Sequence, residues 1–418
     1  MNKKLNDIDD LFSKHSRRGD QRLFAKKYDE AIEDYNKAIE LKPDYAPIYS
    51  IRGYAYRIKG EFESAIKDYT KLIELRPNNA DAYCDRGIAY SKNGEFERAI
   101  QDFNKAIELK PSFADVYNGR GLTYLQMNQV DLAIKDYNTA IQLRPDFAKA
   151  YNNRGIAYRE KGEFDQTIDD TTKAIELSPN SSHTYSNRGN AYVKKGLSNL
   201  AIKDYNKAIQ LNPELAEAYC NRGVAYEHTG EFERAIEDHT KAIELQPDYV
   251  EAYNNRGVVY NKKDEADLAI KDFSKAIELK PEFANAYGSR GYAYYTKGEL
   301  ELAIKDYDTA IQLKPVFAEA YNNRGLTYLV KSELERAIED LNKAIELKSD
   351  YSEAYYNRGV VWSRLQQWEK ARLDLTVAKI IGKDSIRSLQ YTSRNVVNVE
   401  QMPGVNPPED IAAMLTPP

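Results

Sequence analysis

Arginine followed by glycine recurs every 34 residues along this chain, at Arg18, Arg52, Arg86, Arg120, Arg154, Arg188, Arg222, Arg256, Arg290, Arg324 and Arg358. A guanidinium presents five N–H donors in a rigid fork that fits a carboxylate or a phosphate. Eleven such groups could hold anions one by one or form ion pairs inside the protein. A matching set of acids favours the ion pairs. Aspartate recurs at the same 34-residue step, at Asp34, Asp68, Asp102, Asp136, Asp170, Asp204, Asp238, Asp272, Asp306, Asp340 and Asp374.

Asparagines crowd the residues just before the arginines. Asn118, Asn152, Asn254 and Asn322 stand two places before an arginine, and Asn153, Asn187, Asn221, Asn255, Asn323 and Asn357 one place before. A side-chain amide carries one acceptor and two donors, which suits the alternating N–H and C=O groups of an extended peptide. Other reactive side chains are sparse. His15, His183, His228 and His239 lack the spacing of metal ligands, and neither Cys84 nor Cys220 has a histidine at a fixed local spacing. No glycine-rich phosphate loop is present. The chain is therefore expected to be no enzyme, to need no cofactor and to bind no metal.

Composition narrows the class further. Lys plus Arg totals 60 against 65 Asp plus Glu, for a net charge of -5. A nucleic-acid partner is not expected without a basic excess. The two cysteines lie four repeats apart, too far to pair at about 10 Å per stacked helix. The opening "MNKKLNDIDDLFSKH" lacks a signal-peptide core, and no run of 18 apolar residues exists. A cytoplasmic protein without a membrane span is the expectation.

The elements that position these groups follow from the period. With the recurrent glycine as position 8, eleven repeats begin at residues 12, 46, 80, 114, 148, 182, 216, 250, 284, 318 and 352. Position 32 is proline from Pro43 to Pro315, which breaks any helix. Between the breaks, apolar residues fall at helical spacing, as in "EFERAIEDHTKAIEL" from Glu231, where Phe232, Ala235, Ile236, His239, Ala242 and Ile243 share a stripe. A turn around Gly60, Gly94, Gly162 or Gly230 separates two helices per repeat. If the glycine at position 8 faces the small residue at position 20, position 23 faces position 5. The arginine at position 7 is then about 3 Å of helix rise away, within its reach. The aspartate of a neighbouring repeat is an equally open partner.

Tyrosine at positions 4 and 11, glycine at 8, alanine at 20 and 27, an aromatic at 24 and proline at 32 together resemble the tetratricopeptide repeat (TPR). The resemblance covers residues 12 to 385, with residues 1 to 11 as an N-terminal extension and 386 to 418 as a capping segment and disordered tail. "DSIRSLQ" from Asp384 reads as a short cap, and "PEDIAAML" as a turn of helix able to fold back on the protein. The resemblance implies an all-α fold, a right-handed superhelical α-solenoid of stacked antiparallel helix hairpins. Its groove would be lined by first helices through positions 2, 5, 6, 9, 12 and 13. It also implies other proteins as partners, held through extended peptide segments. Arginine at position 7 departs from the family, which has an apolar residue there.

The asparagines at positions 5 and 6 resemble the ladder in the helical-repeat part of O-linked N-acetylglucosamine transferase. Here the row is interrupted at Ser289 and absent at Ile51, Asp85 and Gly119. An inherited repeat consensus is the competing reading. Acids at position 2 (Asp81, Asp115, Glu217, Glu251, Glu319 and Glu353) would favour a basic segment, and they equally suit a helix N-terminus. No repeat has lysine at position 5, which argues against a clamp for chaperone C-termini. The competing function is a structural spacer with no dedicated peptide site.

Overall fold

The computed structural model describes residues 2–382 and 407–415, with side chains from residue 8 onward. Twenty-three α-helices cover them, and no strand occurs among the described residues. The chain divides into two compact halves, Met1–Asn212 and Pro213–Pro418. The first holds repeats one to six and the second holds repeats seven to eleven. In both, each repeat is an antiparallel hairpin of two helices stacked on its neighbour. The fifth repeat pairs Ala148–Glu160 with Phe164–Leu177, and the tenth pairs Ala318–Val330 with Leu334–Leu347.

Nine second helices end just before a proline, and Lys348, before Ser349, leaves the tenth in the same extended conformation, φ -143°. Lys110, just before Pro111, turns to φ -144° while its N–H still bonds the carbonyl of Ala106 at 2.9 Å. The turn inside each hairpin requires the left-handed region at position 15. Glycine fills it six times, with φ between 73° and 82°. Lys26, Asn128, Asp264, Ser332 and Gln366 hold the same conformation without being glycine, φ 58° to 63°, at a cost of about 1–2 kcal/mol each for an L-residue.

Close approach of the two helices explains the Arg-Gly glycine. A Cβ on Gly121 would stand 2.8 Å from Cε1 of Tyr137 and 3.2 Å from the carbonyl oxygen of Ala133. The side chain facing position 8 is therefore the ring at position 24, and position 20 meets it only through its backbone. The alanines at position 20 are fully buried, from Ala31 to Ala371.

The first helix runs Asn2–Phe24, straight through residue 12. Near the other end, Glu409–Leu415 is helical, within the "PEDIAAML" stretch read as a turn of helix. Ile411 and Leu415 are buried in a cluster with Leu341, Val360 and Leu375. Arg372 Nε donates to Asp410 at 2.6 Å, and Tyr356 Oη donates to the carbonyl of Leu415 at 3.4 Å. This short helix covers the apolar end of the eleventh repeat. The "DSIRSLQ" cap lies outside the described residues.

Candidate functional site

Each arginine is held by its own repeat. Arg120 Nε and Nη2 donate to the two oxygens of Asp136 at 2.7 and 2.8 Å. The same fork joins Arg52 to Asp68, Arg86 to Asp102, Arg154 to Asp170 and Arg188 to Asp204 in the first half. In the second half it joins Arg222 to Asp238, Arg256 to Asp272, Arg290 to Asp306, Arg324 to Asp340 and Arg358 to Asp374. The aspartates are buried and the arginines keep a thin edge in solvent. The bond to Asp170 holds the Arg154 guanidinium above its ordinary pKa.

The third arm of the guanidinium reaches the preceding repeat. Nη1 of Arg120 donates to Asn104 Oδ1 at 2.6 Å, and the equivalent bonds run to Asn36, Thr70, Asn138, Thr172, Thr240, Ser274, Asp308 and Asn342. These acceptors all occupy position 25. One arginine thus ties three helices: both of its own repeat and the second of the repeat before. Tyrosines at positions 4 and 11 flank it, as Tyr117 and Tyr124 do at 5.6 and 5.9 Å from Arg120. Sequence reasoning missed position 25, although its signal was present: no repeat places an apolar residue there. In the first repeat, Arg18, His15 and Arg22 all bond Asp34, and Arg18 above all holds its carboxyl well below the usual range.

The asparagines are partly spent on one another. Asn153 Nδ2 donates to Asn118 Oδ1 at 3.0 Å, Asn187 to Asn152 at 3.0 Å, and Asn357 to Asn322 at 2.9 Å. Asn255 replaces that acceptor with Cys220 Sγ at 3.6 Å. Position 6 of one repeat is thereby zipped to position 5 of the repeat before. Asn322 and Asn357 are buried in the process. Asn221 donates to Glu217 within its own helix at 3.4 Å. The structure does not bring Asn254 or Asn323 into any such cross-repeat bond. Instead Asn254 and Asn322 each donate to the next asparagine in sequence, at 3.4 and 3.1 Å.

A cavity of about 1060 Å³ opens on the first helices of repeats eight, nine and ten. Its walls include Asn254, Val258, Gly288, Ser289, Tyr292 and Asn323, which hold positions 5, 6 and 9. The other titratable groups offer little chemistry. His239 is fully buried at position 24 against Gly223, and burial pushes its pKa down to about 3. Both cysteines are free and buried, and burial pushes the Cys220 thiol up to about 12. No cluster of three His, Cys, Asp or Glu able to hold a metal occurs among the described residues. No helix among them is long and apolar enough to cross a membrane.

Two family patterns match the sequence. The tetratricopeptide repeat matches residues 80–113, 148–181, 216–249, 250–283 and 318–351. A second pattern, described as TPR repeat, matches 19–56, 53–94, 121–162, 199–230 and 291–332. This chain belongs to the tetratricopeptide-repeat family. Among solved structures, this TPR chain is similar to a chain of the APC/C hetero-tetramer Cut9–Hcn1, at 14% identity over 90% of this chain and 95% of that one, with a TM-score of 0.52. The likeness is one of fold. MamA is 36% identical over 38% of this chain and 94% of its own, TM-score 0.35. YrrB, described as a TPR protein with an unusual peptide-binding site, is 26% identical over 44% of this chain and 95% of its own, TM-score 0.37. No curated protein matches the sequence.

Proposed function

We propose that this TPR chain is a protein-interaction scaffold that holds an extended peptide segment of a partner against its first helices. The observation that carries this reading is the cavity on repeats eight to ten. Eleven of its eighteen wall residues hold positions 2, 5, 6, 9, 12 and 13, the positions whose side chains a TPR groove presents, and the rest, Phe317 among them, come from the adjoining turns and helix ends. They mix amide groups with the Tyr292 and Phe317 rings, the pairing of a few polar anchors with apolar surface that binding pockets use. Membership of the family supports a protein partner. Glu319 favours a lysine or arginine at its end of the segment, while over the cavity as a whole Lys262, Lys297 and Lys314 balance Asp264, Asp267 and Glu319. Asp115 contributes less, because Arg144 already holds it.

A second reading, a rigid spacer, draws support from the nine arginine staples that each tie three helices. Photocrosslinking separates the two. A benzoylphenylalanine placed at Tyr292, on the first-helix face, is compared with one at Lys305, on the exposed surface of a second helix. Partner adducts concentrated at Tyr292 support the peptide-binding reading. Adducts only at Lys305, or at neither site while a partner still co-purifies, move binding off the first helices and favour the spacer.

A further inference from the structure

The asparagine zipper fails at one place in the second half, and the cavity lies there. Repeat nine carries Gly288 at position 5 and Ser289 at position 6. Each loss strands a neighbour. Asn254 of repeat eight would accept from an asparagine at 289. Without it, Asn254 Oδ1 is buried and has no hydrogen-bond partner. Asn323 of repeat ten would donate to an asparagine at 288. Without it, no described residue accepts from Asn323 Nδ2, whereas the matching Nδ2 atoms of Asn153, Asn187 and Asn357 all have acceptors 35 residues back. Val258, Tyr292, Phe317 and Ala320 supply the cavity's apolar walls, and Lys314 lies over the Phe317 ring at 4.5 Å.

An orphaned buried acceptor costs about 1–3 kcal/mol, so the gap is a place where an incoming group recovers what the zipper gave up. The two amides are complementary: the buried Asn254 Oδ1 lacks a donor, and Asn323 Nδ2, which solvent reaches, is a donor with no protein acceptor. A peptide backbone supplies both. The two asparagines sit on first helices two repeats apart, roughly 20 Å at 8–10 Å per packed helix. An extended chain covers that in about six residues at 3.3 Å each. Asn254 reaches the cavity by turning its carboxamide about the last side-chain torsion, which is soft, and gives up only its 3.4 Å bond to Asn255.

We infer that the break in the asparagine zipper at Gly288 and Ser289, and not the asparagines paired with one another, is the peptide seat. It takes an extended segment of about six residues, with one backbone N–H on Asn254, one C=O on Asn323 and an apolar side chain between Tyr292 and Phe317. This rests on the peptide-binding reading above and names its location and ligand. A Cβ at Gly288 would stand 3.1 Å from Cε1 of Phe317, so the ring must shift slightly to admit asparagine, and Asn118 before Phe147 and Asn254 before Phe283 hold asparagine at the same position. Filling the gap is therefore a usable test.

The full chain is panned against a phage-displayed library of random twelve-residue peptides. Enriched peptides are synthesised with a fluorescein label and titrated by polarisation. The proteins compared are wild type, Gly288→Asn/Ser289→Asn, Asn323→Ala and Asn153→Ala/Asn187→Ala, each checked for equal helicity by circular dichroism. The expected result is enrichment of peptides with a central apolar residue. Binding should then weaken about tenfold or more, the effect of about 1.4 kcal/mol, in the filled variant. A smaller loss is expected in Asn323→Ala and less than about twofold in Asn153→Ala/Asn187→Ala, whose amides are already engaged with each other. Asn323→Ala decides the matter if the filled variant misfolds. Unchanged binding in both gap variants with loss in the zipper variant overturns the seat and leaves the peptide-binding reading standing. Unchanged binding in all variants, or no enriched peptide, overturns both.

Discussion

Asp272 is the place to test what the arginine ladder contributes. Arg256 donates to its two oxygens at 2.7 and 2.8 Å, and the aspartate is 4% exposed. Asp272→Asn keeps the volume, removes the charge and turns an NH2 toward a guanidinium that can only donate. Breaking a buried pair from one side costs about 3–5 kcal/mol. Arg256 keeps 16% of its side chain in solvent, its bond to Thr240 at 2.9 Å and the ring of Tyr253. The loss therefore falls near the low end, at about 3 kcal/mol.

Repeat proteins open locally, so a global melt dilutes such a loss. Amide hydrogen exchange on Val250–Lys262 and Ala266–Leu279 reads it directly. Exchange there should quicken about a hundredfold, since each 1.36 kcal/mol is a factor of ten, while repeats one to three stay as they were. The double variant Arg256→Leu/Asp272→Leu should return to within about 1 kcal/mol of wild type, because an apolar pair of similar size replaces a buried ion pair at little cost. A change below about threefold in Asp272→Asn would refute the claim that the pair is energetically buried. A double variant as weak as the single would refute the claim that the loss comes from a stranded charge.

Three further outcomes follow from the geometry. Ser332→Gly should raise the stability of the tenth repeat by about 1 kcal/mol, since Ser332 sits at φ 63° where six other repeats use glycine; a lower melting temperature would contradict this. His239 is neutral in the fold, with a pKa near 3 and no partner on either ring nitrogen, and Arg256 adds to the burial that keeps it so. Its unfolded value is about 6.5. The unfolded chain thus binds the extra proton, and stability falls as pH drops from about 6.5 toward 3, by up to about 1.4 kcal/mol per unit. His239→Phe should remove that part of the slope in urea titrations, and an unchanged slope would sink the assignment. Ile411→Ala should loosen the C-terminal helix by about 2–4 kcal/mol. Trp362 and Trp368, the chain's two tryptophans, pack in the same cluster and should shift their emission to the red; unaltered emission would mean that the helix does not cover them in solution.

Local rules carried most of the architecture. Proline at position 32 stops a helix whatever surrounds it, and an apolar stripe at period 3.6 is readable one window at a time. The 34-residue frame, the hairpins and the family were therefore legible in the sequence. So was the need of each arginine for an acid, because a charge inside a packing stripe has few escapes. Which acid it takes was not legible. Aspartates of its own and of neighbouring repeats have equal sequence credentials, and only the crossing of the two helices selects the one sixteen residues on. The third arm, to position 25 of the preceding repeat, depends on the same crossing.

The asparagines mark where sequence stops deciding. An amide that reads a peptide and an amide that bonds its neighbour are the same residue in the same helical position. Asn153 meets Asn118 because first helices of successive repeats stack with their side-chain amides at hydrogen-bonding distance. The break at Gly288 and Ser289 is visible in the sequence only as an irregularity. It becomes a cavity with two stranded amides because the helices on either side are held in place by contacts that the missing side chains do not share. Periodicity determines the repeat; the packing between repeats determines which polar groups remain available to a partner.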